Sequence, residues 1–372
     1  MKRTIIAASA LALAILACNG GATPTIPPTP QESVFDTTET AYGFFPTPPE
    51  VSLESVFQLY KDLGAHADVV LLQEGIPWEE FLQGADVESQ HITDITNQYI
   101  LASQNNLEII YVFDPLNGLN RREFMGLPNG WEANFANPDV RTAFKNYTLR
   151  VVREFHPRYL GLASEINTYM DAHPEDALNF VSLYNEVYDA VKAEAPEMQI
   201  FVTFQWEDLN NVFPQPEEIG RQKFVTNWDQ VEIFEPRLDL WVISSYPFIA
   251  FEDGSQIPAD YYTPLLTRTD KPLAVAEGGF ISTDTGPFHG DQQSQVDYLN
   301  AIHTQIGSRL SFWIYLLFND FNLDSYAKMM KQQGLGDDDI TTLGMFGSVG
   351  LREYNGTAKS ALEVWDSFRE NK

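Results

Sequence analysis

The sequence is poor in cysteine and in basic residues. Its 372 residues include one cysteine, Cys18, and 23 lysines and arginines against 52 aspartates and glutamates. If Cys18 serves as an anchor, no thiol is left for a disulfide, a thiolate metal site or cysteine catalysis. The formal charge of −29 repels polyanions, which argues against nucleic acid and against polyanionic substrates. The longest N-terminal apolar run, residues 5–17, is too short to span a bilayer.

The usual motifs of several hydrolase classes are also missing. The six histidines include no His-x-His and no His-Glu-x-x-His pattern, which disfavours a metal-dependent hydrolase. No Gly-x-Ser-x-Gly elbow is present for a Ser-His-Asp hydrolase, and no glycine-rich phosphate loop follows the first predicted strand. We therefore expect chemistry without a cofactor or metal.

The N-terminus has the pattern of a secretion signal. Lys2 and Arg3 precede the apolar run, which ends in Ile15-Leu16-Ala17-Cys18 and resembles a bacterial lipobox. The resemblance implies a signal peptide over residues 1–17 and lipidation of Cys18; an ordinary signal peptide that contains cysteine is the alternative. Residues 18–37 are rich in Pro and Thr and are predicted to form a tether. Residues 38–372 are predicted to form one domain. We expect an exported, monomeric cell-envelope lipoprotein, facing outward or into the periplasm.

From residue 38 onward, short apolar runs alternate with longer amphipathic ones. Predicted strands cover residues 41–45, 69–72, 108–113, 160–163, 199–204, 240–244, 273–276 and 312–317. Predicted helices cover residues 53–63, 89–105, 138–155, 174–195, 224–234, 259–268, 292–306 and 357–368. Eight strand–helix repeats predict an α/β fold, the (β/α)8 TIM barrel; a doubly wound open sheet is the alternative.

Active sites of such barrels lie where the strands end. The predicted strand ends carry carboxylates, amides and aromatics but no histidine: Gln73, Glu74, Asp114, Glu165, Asn167, Gln205, Trp206, Tyr246, Glu277 and, within the last strand, Trp313. Carboxylates and amides hydrogen-bond sugar hydroxyls, and aromatic rings stack on sugar C–H faces. The set therefore favours a neutral carbohydrate as the substrate.

Glu165 and Glu277 follow the fourth and seventh predicted strands, which lie nearly opposite each other in an eight-stranded barrel. A carboxylate beside a buried strand is costly unless it has a function or a partner. Glycoside hydrolysis requires two carboxyl groups, one to protonate the leaving oxygen and one opposite it. We expect a separation of about 5–5.5 Å if the pair catalyses a retaining reaction. We also expect a raised pKa for Glu165, because a neighbouring carboxylate and an apolar setting disfavour its charge.

These residues resemble clan A of the glycoside hydrolases. The likeness covers residue 41 to the last helix, includes the stretch Gly347-Ser348-Val349-Gly350-Leu351-Arg352, and in Ser164-Glu165-Ile166-Asn167 loosely resembles the endo-galactanase family. The resemblance implies a retaining glycosidase with Glu165 as acid/base and Glu277 as nucleophile. It also implies that Tyr246 lies beside the site and that Trp313 lies beneath the sugar.

One position departs from the clan, which usually has Asn directly before the acid/base where this chain has Ser164. A serine offers a shorter donor to the sugar, and Asn167 is the candidate replacement. Ser164 therefore keeps a second interpretation open, in which the barrel binds glycans without cleaving them. Trp206 is expected in the mouth, whereas Trp313 fits a core position equally well.

Overall fold

The computed structural model describes residues 39–212, 222–332 and 336–372. The predicted signal peptide, Cys18 and the tether lie outside these residues. In chain order the strands are β1 (Ala41–Phe45), β2 (Val69–Gly75), β3 (Glu108–Asp114), β4 (Leu116–Asn117), β5 (Asn120–Phe124), β6 (Tyr159–Gly161), β7 (Gln199–Phe201), β8 (Thr203–Gln205), β9 (Trp241–Ser245), β10 (Leu273–Gly278) and β11 (Leu310–Leu317).

All of these strands except β4 and β5 form one parallel sheet, in the order β7-β6-β3-β2-β1-β11-β10-β9-β8. β7 and β8 are two halves of a single strand interrupted at Val202. On either side of Val202, the Leu162 amide donates to the Phe201 carbonyl at 2.8 Å and the Thr203 amide donates to the Ala163 carbonyl at 3.1 Å. The sheet therefore closes on itself, and the predicted (β/α)8 barrel is confirmed.

Helices surround the barrel. They are α1 (Leu53–His66), α2 (Gln90–Gln104), α3 (Pro138–Phe155), α4 (Ile166–Ala172), α5 (Pro174–Glu194), α6 (Trp206–Leu209), α7 (Asp229–Glu232), α8 (Pro264–Arg268), α9 (Gln292–Ile306), α10 (Leu323–Gln332), α11 (Asp337–Gly344) and α12 (Ser360–Glu370). The start of α3 has the predicted cap, because the Asn137 side chain accepts from the Asp139 amide and Pro138 occupies the first turn. None of the described helices has the length and apolarity needed to cross a membrane.

The helix predicted over residues 224–234 is wrong: only α7 is helical there. Asparagine side chains compete with helical hydrogen bonds in this segment. Asn211 Nδ2 donates to the Val225 carbonyl at 2.5 Å, and Thr226 Oγ1 donates to Asn210 Oδ1 at 2.6 Å. The helix predicted over residues 259–268 is likewise shortened to α8, which begins at Pro264 because a proline has no amide hydrogen and is tolerated only in the first turn of a helix.

Alternation along β11 separates the barrel interior from the helix layer. The Phe312 ring lies 5.0 Å from the Tyr159 ring and 5.7 Å from the Phe201 ring, centroid to centroid, across the barrel. The next residue, Trp313, faces the opposite way and packs 5.3 Å from Trp365 on α12. The interior is therefore a packed core below the strand ends, and the site is confined to the mouth.

Gly43 in β1 has no room for a side chain. A Cβ there would lie 2.3 Å from the Val69 carbonyl oxygen and 2.9 Å from Ile314 Cδ1. We predict that Gly43→Ala lowers the free energy of unfolding by about 1–3 kcal/mol, because β1 and β2 must separate to relieve the overlap. Urea denaturation measures the effect.

The control is Gly344→Ala at the end of α11, where a Cβ would meet nothing within 4 Å. Its free energy of unfolding should stay within about 0.5 kcal/mol of the unchanged protein. Equal destabilisation by both substitutions would contradict the packing described for β1.

Candidate active site

Glu165 occupies the sharp turn between β6, the fourth barrel strand, and α4. Its backbone is left-handed, with φ 48° and ψ 43°, a conformation that costs a non-glycine residue about 1–2 kcal/mol. The Glu165 amide donates to Thr203 Oγ1 at 2.7 Å, which ties the turn to the neighbouring strand β8. The turn points the side chain into the barrel mouth instead of continuing along α4.

The Glu165 carboxyl group is fully buried and accepts two side-chain hydrogen bonds. Ser244 Oγ donates to Oε1 at 2.5 Å, and Arg121 Nε donates to Oε2 at 3.1 Å. Both oxygens are therefore fixed by donors from other elements, β9 and β5.

Glu277 lies in β10, the seventh barrel strand, and is 1% exposed. Tyr246, directly after β9, donates its hydroxyl to Glu277 Oε1 at 2.5 Å. Glu277 is also the register partner of Ser244 on β9, the same serine that donates to Glu165. Ser244 on β9 therefore contacts Glu165 through its side chain and lies beside Glu277 in the sheet. The structure thus brings Glu165, Glu277 and Tyr246 together.

Glu207, at the start of α6, fixes the position of Tyr246. Its carboxylate accepts from the Tyr246 amide at 2.9 Å, from Ser245 Oγ at 2.7 Å and from Gln205 Nε2 at 2.7 Å. The group is fully buried, and burial raises its pKa. Glu207 thus holds the backbone from which the Tyr246 hydroxyl reaches Glu277.

A buried arginine from the β4–β5 hairpin enters the same site. Arg121 donates through Nη1 to Asp114 Oδ2, through Nε to Glu165 and through Nη2 to Ser164 Oγ at 3.2 Å. Gln73 Nε2 donates to the same Asp114 oxygen at 2.9 Å. Asp114, Ser164 and Glu165 are thereby joined by one guanidinium.

The charges of the described site do not balance if every group is ionised, because the carboxyls of Asp114, Glu165 and Glu277 face the single guanidinium of Arg121. Burial and then the charge of Glu277 raise the pKa of Glu165 well above its ordinary value, against the opposing effects of Arg121 and Ser244. Burial lowers the pKa of Arg121, but Asp114, Glu165 and Glu277 together raise it above its ordinary value. Arg121 therefore stays charged, and burial together with the charge of Glu277 favours the protonated form of Glu165.

Asn167 and Gln205 bond mainly to each other and their neighbours. Asn167 Oδ1 accepts from the Gln205 amide at 2.8 Å, and Asn167 Nδ2 donates to the Gln205 carbonyl at 3.1 Å. The Gln205 side chain caps α6 by accepting from the Asp208 amide. Both residues are fully buried and brace the β6–α4 turn against β8. Their polar atoms are engaged within the protein, and Ser164 likewise contacts Arg121.

The two tryptophans expected to contact sugar pack against other aromatic side chains, and for Trp313 this agrees with the core position that the sequence left open. Trp206 is fully buried, with its ring 6.2 Å from Tyr262 and 6.1 Å from Trp228. Trp313 faces α12, where Trp365 covers it. Alternation explains Trp313, because it is an outward-facing residue of β11.

Sequence reasoning missed Arg121, Ser244, Thr203 and Glu207. The hairpin that carries Arg121 has a recognisable signal, Asn117-Gly118, the dipeptide of a tight β-turn. Ser244 and Ser245 are two polar residues at the end of an apolar strand, which also marks a site. Within the described ranges, no cluster of three His, Cys, Asp or Glu side chains suits a metal ion.

The chain shares its fold with glycoside hydrolases of known structure. A family 5, subfamily 18 enzyme from Bifidobacterium longum subsp. longum aligns with a TM-score of 0.63 at 14% identity, over 90% of this chain and 79% of that one. An exo-β-1,4-mannosidase from an Opitutaceae bacterium aligns with a TM-score of 0.59 at 12% identity, over 90% of this chain. Fungal β-1,4-galactanases align with a TM-score of 0.55 at 13% identity, over 88% of this chain and 93% of that one.

The chain spans 59% of the length of the mannosidase. Neither a family model nor a curated protein matches the sequence. At these identities the likeness is one of fold, and at that level the expected resemblance to clan A barrels and to galactanases is confirmed.

We predict that the protonation of Glu165 makes stability depend on pH. A carboxyl whose pKa is raised in the folded state stabilises the protein below its unfolded pKa, about 4.3, and this contribution is lost as pH rises through the folded pKa. Glu165→Gln cannot ionise. The free energy of unfolding of the variant, relative to the unchanged protein, should therefore rise as the pH increases above about 4.3, by up to about 1.4 kcal/mol per pH unit.

Urea denaturation at several pH values measures this difference. Glu54→Gln, on the exposed first turn of α1, controls for the loss of one negative charge. Parallel pH profiles for Glu165→Gln and the unchanged protein would contradict a proton held on Glu165.

Proposed function

We propose that this protein is a retaining glycoside hydrolase in which Glu277 is the nucleophile and Glu165 the general acid/base. One observation carries the proposal: two buried carboxyl groups lie at the ends of the fourth and seventh barrel strands, where burial and then the charge of Glu277 raise the pKa of Glu165 well above its ordinary value. A protonated and an ionised carboxyl side by side are the two reagents that acetal cleavage needs. The glycosidase names of the structures that share the fold support the same assignment.

In the first step, a carboxylate oxygen of Glu277 attacks the anomeric carbon and forms a C–O bond. The glycosidic C–O bond breaks, and the leaving oxygen takes the proton of Glu165. In the second step, water attacks the anomeric carbon, its proton passes to Glu165, and the ester bond to Glu277 breaks. The product keeps the anomeric configuration of the substrate.

Burial and charge favour this division of roles over the reverse one, because they outweigh the hydrogen bonds that Glu165 accepts from Ser244 and Arg121. The Tyr246 hydroxyl donates to Glu277, and a donor to a carboxylate stabilises its ionised form. The proton is instead retained on Glu165, where burial and the Glu277 charge act together.

We propose a neutral poly- or oligosaccharide as the substrate. The chain's formal charge of −29 disfavours anionic glycans, and the site already contains three carboxyl groups. Structures that share the fold are named for β-1,4-mannoside and β-1,4-galactan cleavage, so β-mannosides and β-galactosides come first in a substrate panel.

A second candidate function, glycan binding without cleavage, has an observation of its own in favour. Glu165 is fully buried, Glu277 is 1% exposed, and Arg121 contacts both Glu165 and Ser164. A site closed in this way could hold a sugar near the mouth without bringing a glycosidic bond to the carboxyls. Turnover separates the two functions.

We predict that the two glutamates respond differently to the leaving group. With glycosides of poor leaving groups, Glu165→Gln should lower kcat/KM by about 10²–10⁴-fold, because proton donation is lost. With dinitrophenyl glycosides of the same sugar, whose leaving group needs no proton, its kcat/KM should stay near that of the unchanged protein. Glu277→Ala should lose both activities. Steady-state kinetics and the anomer first released, seen by proton NMR, provide the measurement.

Glu74→Gln is the matched control. Glu74 is also a buried glutamate at a strand end, but it bonds Gln98 of α2 at 3.0 Å, outside the site. Its substitution should leave kcat/KM unchanged. Absence of turnover across the panel, with saturable sugar binding, would favour the binding function instead.

We further propose that the protein is a monomer anchored to a membrane by lipid on Cys18 and faces outward or into the periplasm. The lipobox-like Ile15-Leu16-Ala17-Cys18 supports this location. Cys18→Ser should move the protein from the detergent phase to the aqueous phase in a phase-partition assay on expressing cells. Partition of the unchanged protein into the aqueous phase would indicate an ordinary signal peptide, and retention of Cys18→Ser in the detergent phase would contradict an anchor on Cys18.

A further inference from the structure

Arg121 is a fully buried cation in contact with the proposed acid/base, and the mechanism above gives it no task. We propose that Arg121 is a positioning residue that drives Glu165 from acid in the first step to base in the second. The inference rests on the proposed function and extends it.

The hairpin holds Arg121 rigidly. His173 of the α4–α5 junction hydrogen-bonds the Arg122 carbonyl at 2.7 Å, and Trp78 Nε1 donates to the Met125 carbonyl at 2.8 Å. Phe124 packs with its ring 4.6 Å from that of Phe135, centroid to centroid. Contacts on both sides of Arg121 thus fix its backbone, so the guanidinium belongs to the built site and not to a loose lid.

Hydrogen bonds to the Arg121 guanidinium fix its orientation. Asp114 accepts from Nη1 and is itself held by Gln73, while Ser164 accepts from Nη2. With these two sides occupied, Nε points at Glu165 Oε2 at 3.1 Å. The Glu165 carboxyl therefore has a fixed orientation, with Oε2 on Arg121 and Oε1 on Ser244.

The groups facing Glu165 come from four parts of the barrel: Arg121 on β5, Asp114 on β3, Glu277 on β10 and Tyr246 after β9. Before reaction, the negative charge of Glu277 opposes ionisation of Glu165, whereas Arg121 favours it. Asp114 contacts Arg121 directly and offsets part of its charge.

Formation of the glycosyl–enzyme removes one of these opposing effects. When Glu277 becomes an ester, its negative charge disappears, and Glu165 has just given its proton to the leaving group. Arg121 is then the positive charge in direct contact with Glu165, and it stabilises the ionised carboxylate that must accept a proton from water. Without Arg121, a fully buried Glu165 would regain a proton from solvent and could not act as base.

The test uses Arg121→Met, which removes the charge and keeps most of the volume. The double variant Asp114→Asn/Arg121→Met avoids leaving a buried carboxylate without its partner. Arg121→Lys restores a positive charge. Arg122→Met is the matched control, because it removes one positive charge from the neighbouring position of the same strand. Thermal unfolding verifies that each variant is folded.

Two readouts report on the acid/base cycle. In both Met variants the basic limb of the kcat/KM pH profile should move up by about 1–3 pH units, because the cation that favours ionised Glu165 is gone. The second step should slow by about 10²–10⁴-fold. Because the second step then limits turnover, kcat and KM should fall together. The glycosyl–enzyme should accumulate, and mass spectrometry should detect it during turnover.

Azide distinguishes loss of the base from a general disturbance. Azide attacks the anomeric carbon as an anion, forms a C–N bond and releases Glu277 as a carboxylate, so it needs no base. Azide should therefore restore kcat in the Met variants, with a glycosyl azide as product. Arg121→Lys should recover part of the pH profile, and Arg122→Met should match the unchanged protein.

If the unchanged protein is active and the Met variants keep its pH profile without accumulating glycosyl–enzyme, this inference is overturned and the proposed function stands. Loss of activity that azide does not restore also overturns it. An unchanged protein that neither turns over any glycoside nor forms a glycosyl–enzyme overturns both.

Discussion

The site depends on one electrostatic constraint: three buried carboxyl groups share a space with one buried guanidinium. Taking a carboxylate out of water costs several kcal/mol unless hydrogen bonds or an opposite charge compensate for it. Arg121 contacts both Asp114 and Glu165, and its single charge does not balance these two carboxyls and Glu277 if all three are ionised. Burial and the charge of Glu277 raise the pKa of Glu165, which favours one protonated and one ionised carboxyl in the pair. Under the proposed function, the same imbalance that would destabilise an ordinary core supplies the acid and the nucleophile of glycoside cleavage.

The barrel supplies the geometry that this arrangement requires. Glu165 stands on a left-handed turn whose strain is held by Thr203, and Glu277 remains within a strand beside Ser244. Glu207 fixes the backbone of Tyr246, which reaches Glu277. Neighbours from different strands therefore hold each proposed catalytic group, and a shift of one strand would change the contacts of both carboxyls. Gly43 illustrates how little room exists for such a shift, since a single methyl group would overlap the Val69 carbonyl oxygen.

The sequence predicts the parts of this structure that depend on local patterns. Apolar runs give the barrel strands, and their ends give Glu165, Glu277, Asp114 and Tyr246. The residues that were misplaced or missed depend on contacts between distant segments. Arg121 reaches Glu165 from a hairpin 44 positions away, although Asn117-Gly118 marks the hairpin itself. Trp313 was expected beneath the sugar, but an all-apolar strand does not reveal which face points inward. The helix expected over residues 224–234 is replaced by turns because asparagines from the end of α6 hold its backbone.

The central claim is that Glu277 attacks the anomeric carbon. Incubation with fluorinated glycosides of several sugars, which form the glycosyl–enzyme but release it slowly, followed by peptide mapping in a mass spectrometer, tests this claim most directly. The account predicts one added sugar per chain, located on Glu277, with a labelling rate that falls in Glu165→Gln unless the leaving group is activated. A chain that hydrolyses the parent glycosides while the label lies on another residue, or forms on none, would contradict it.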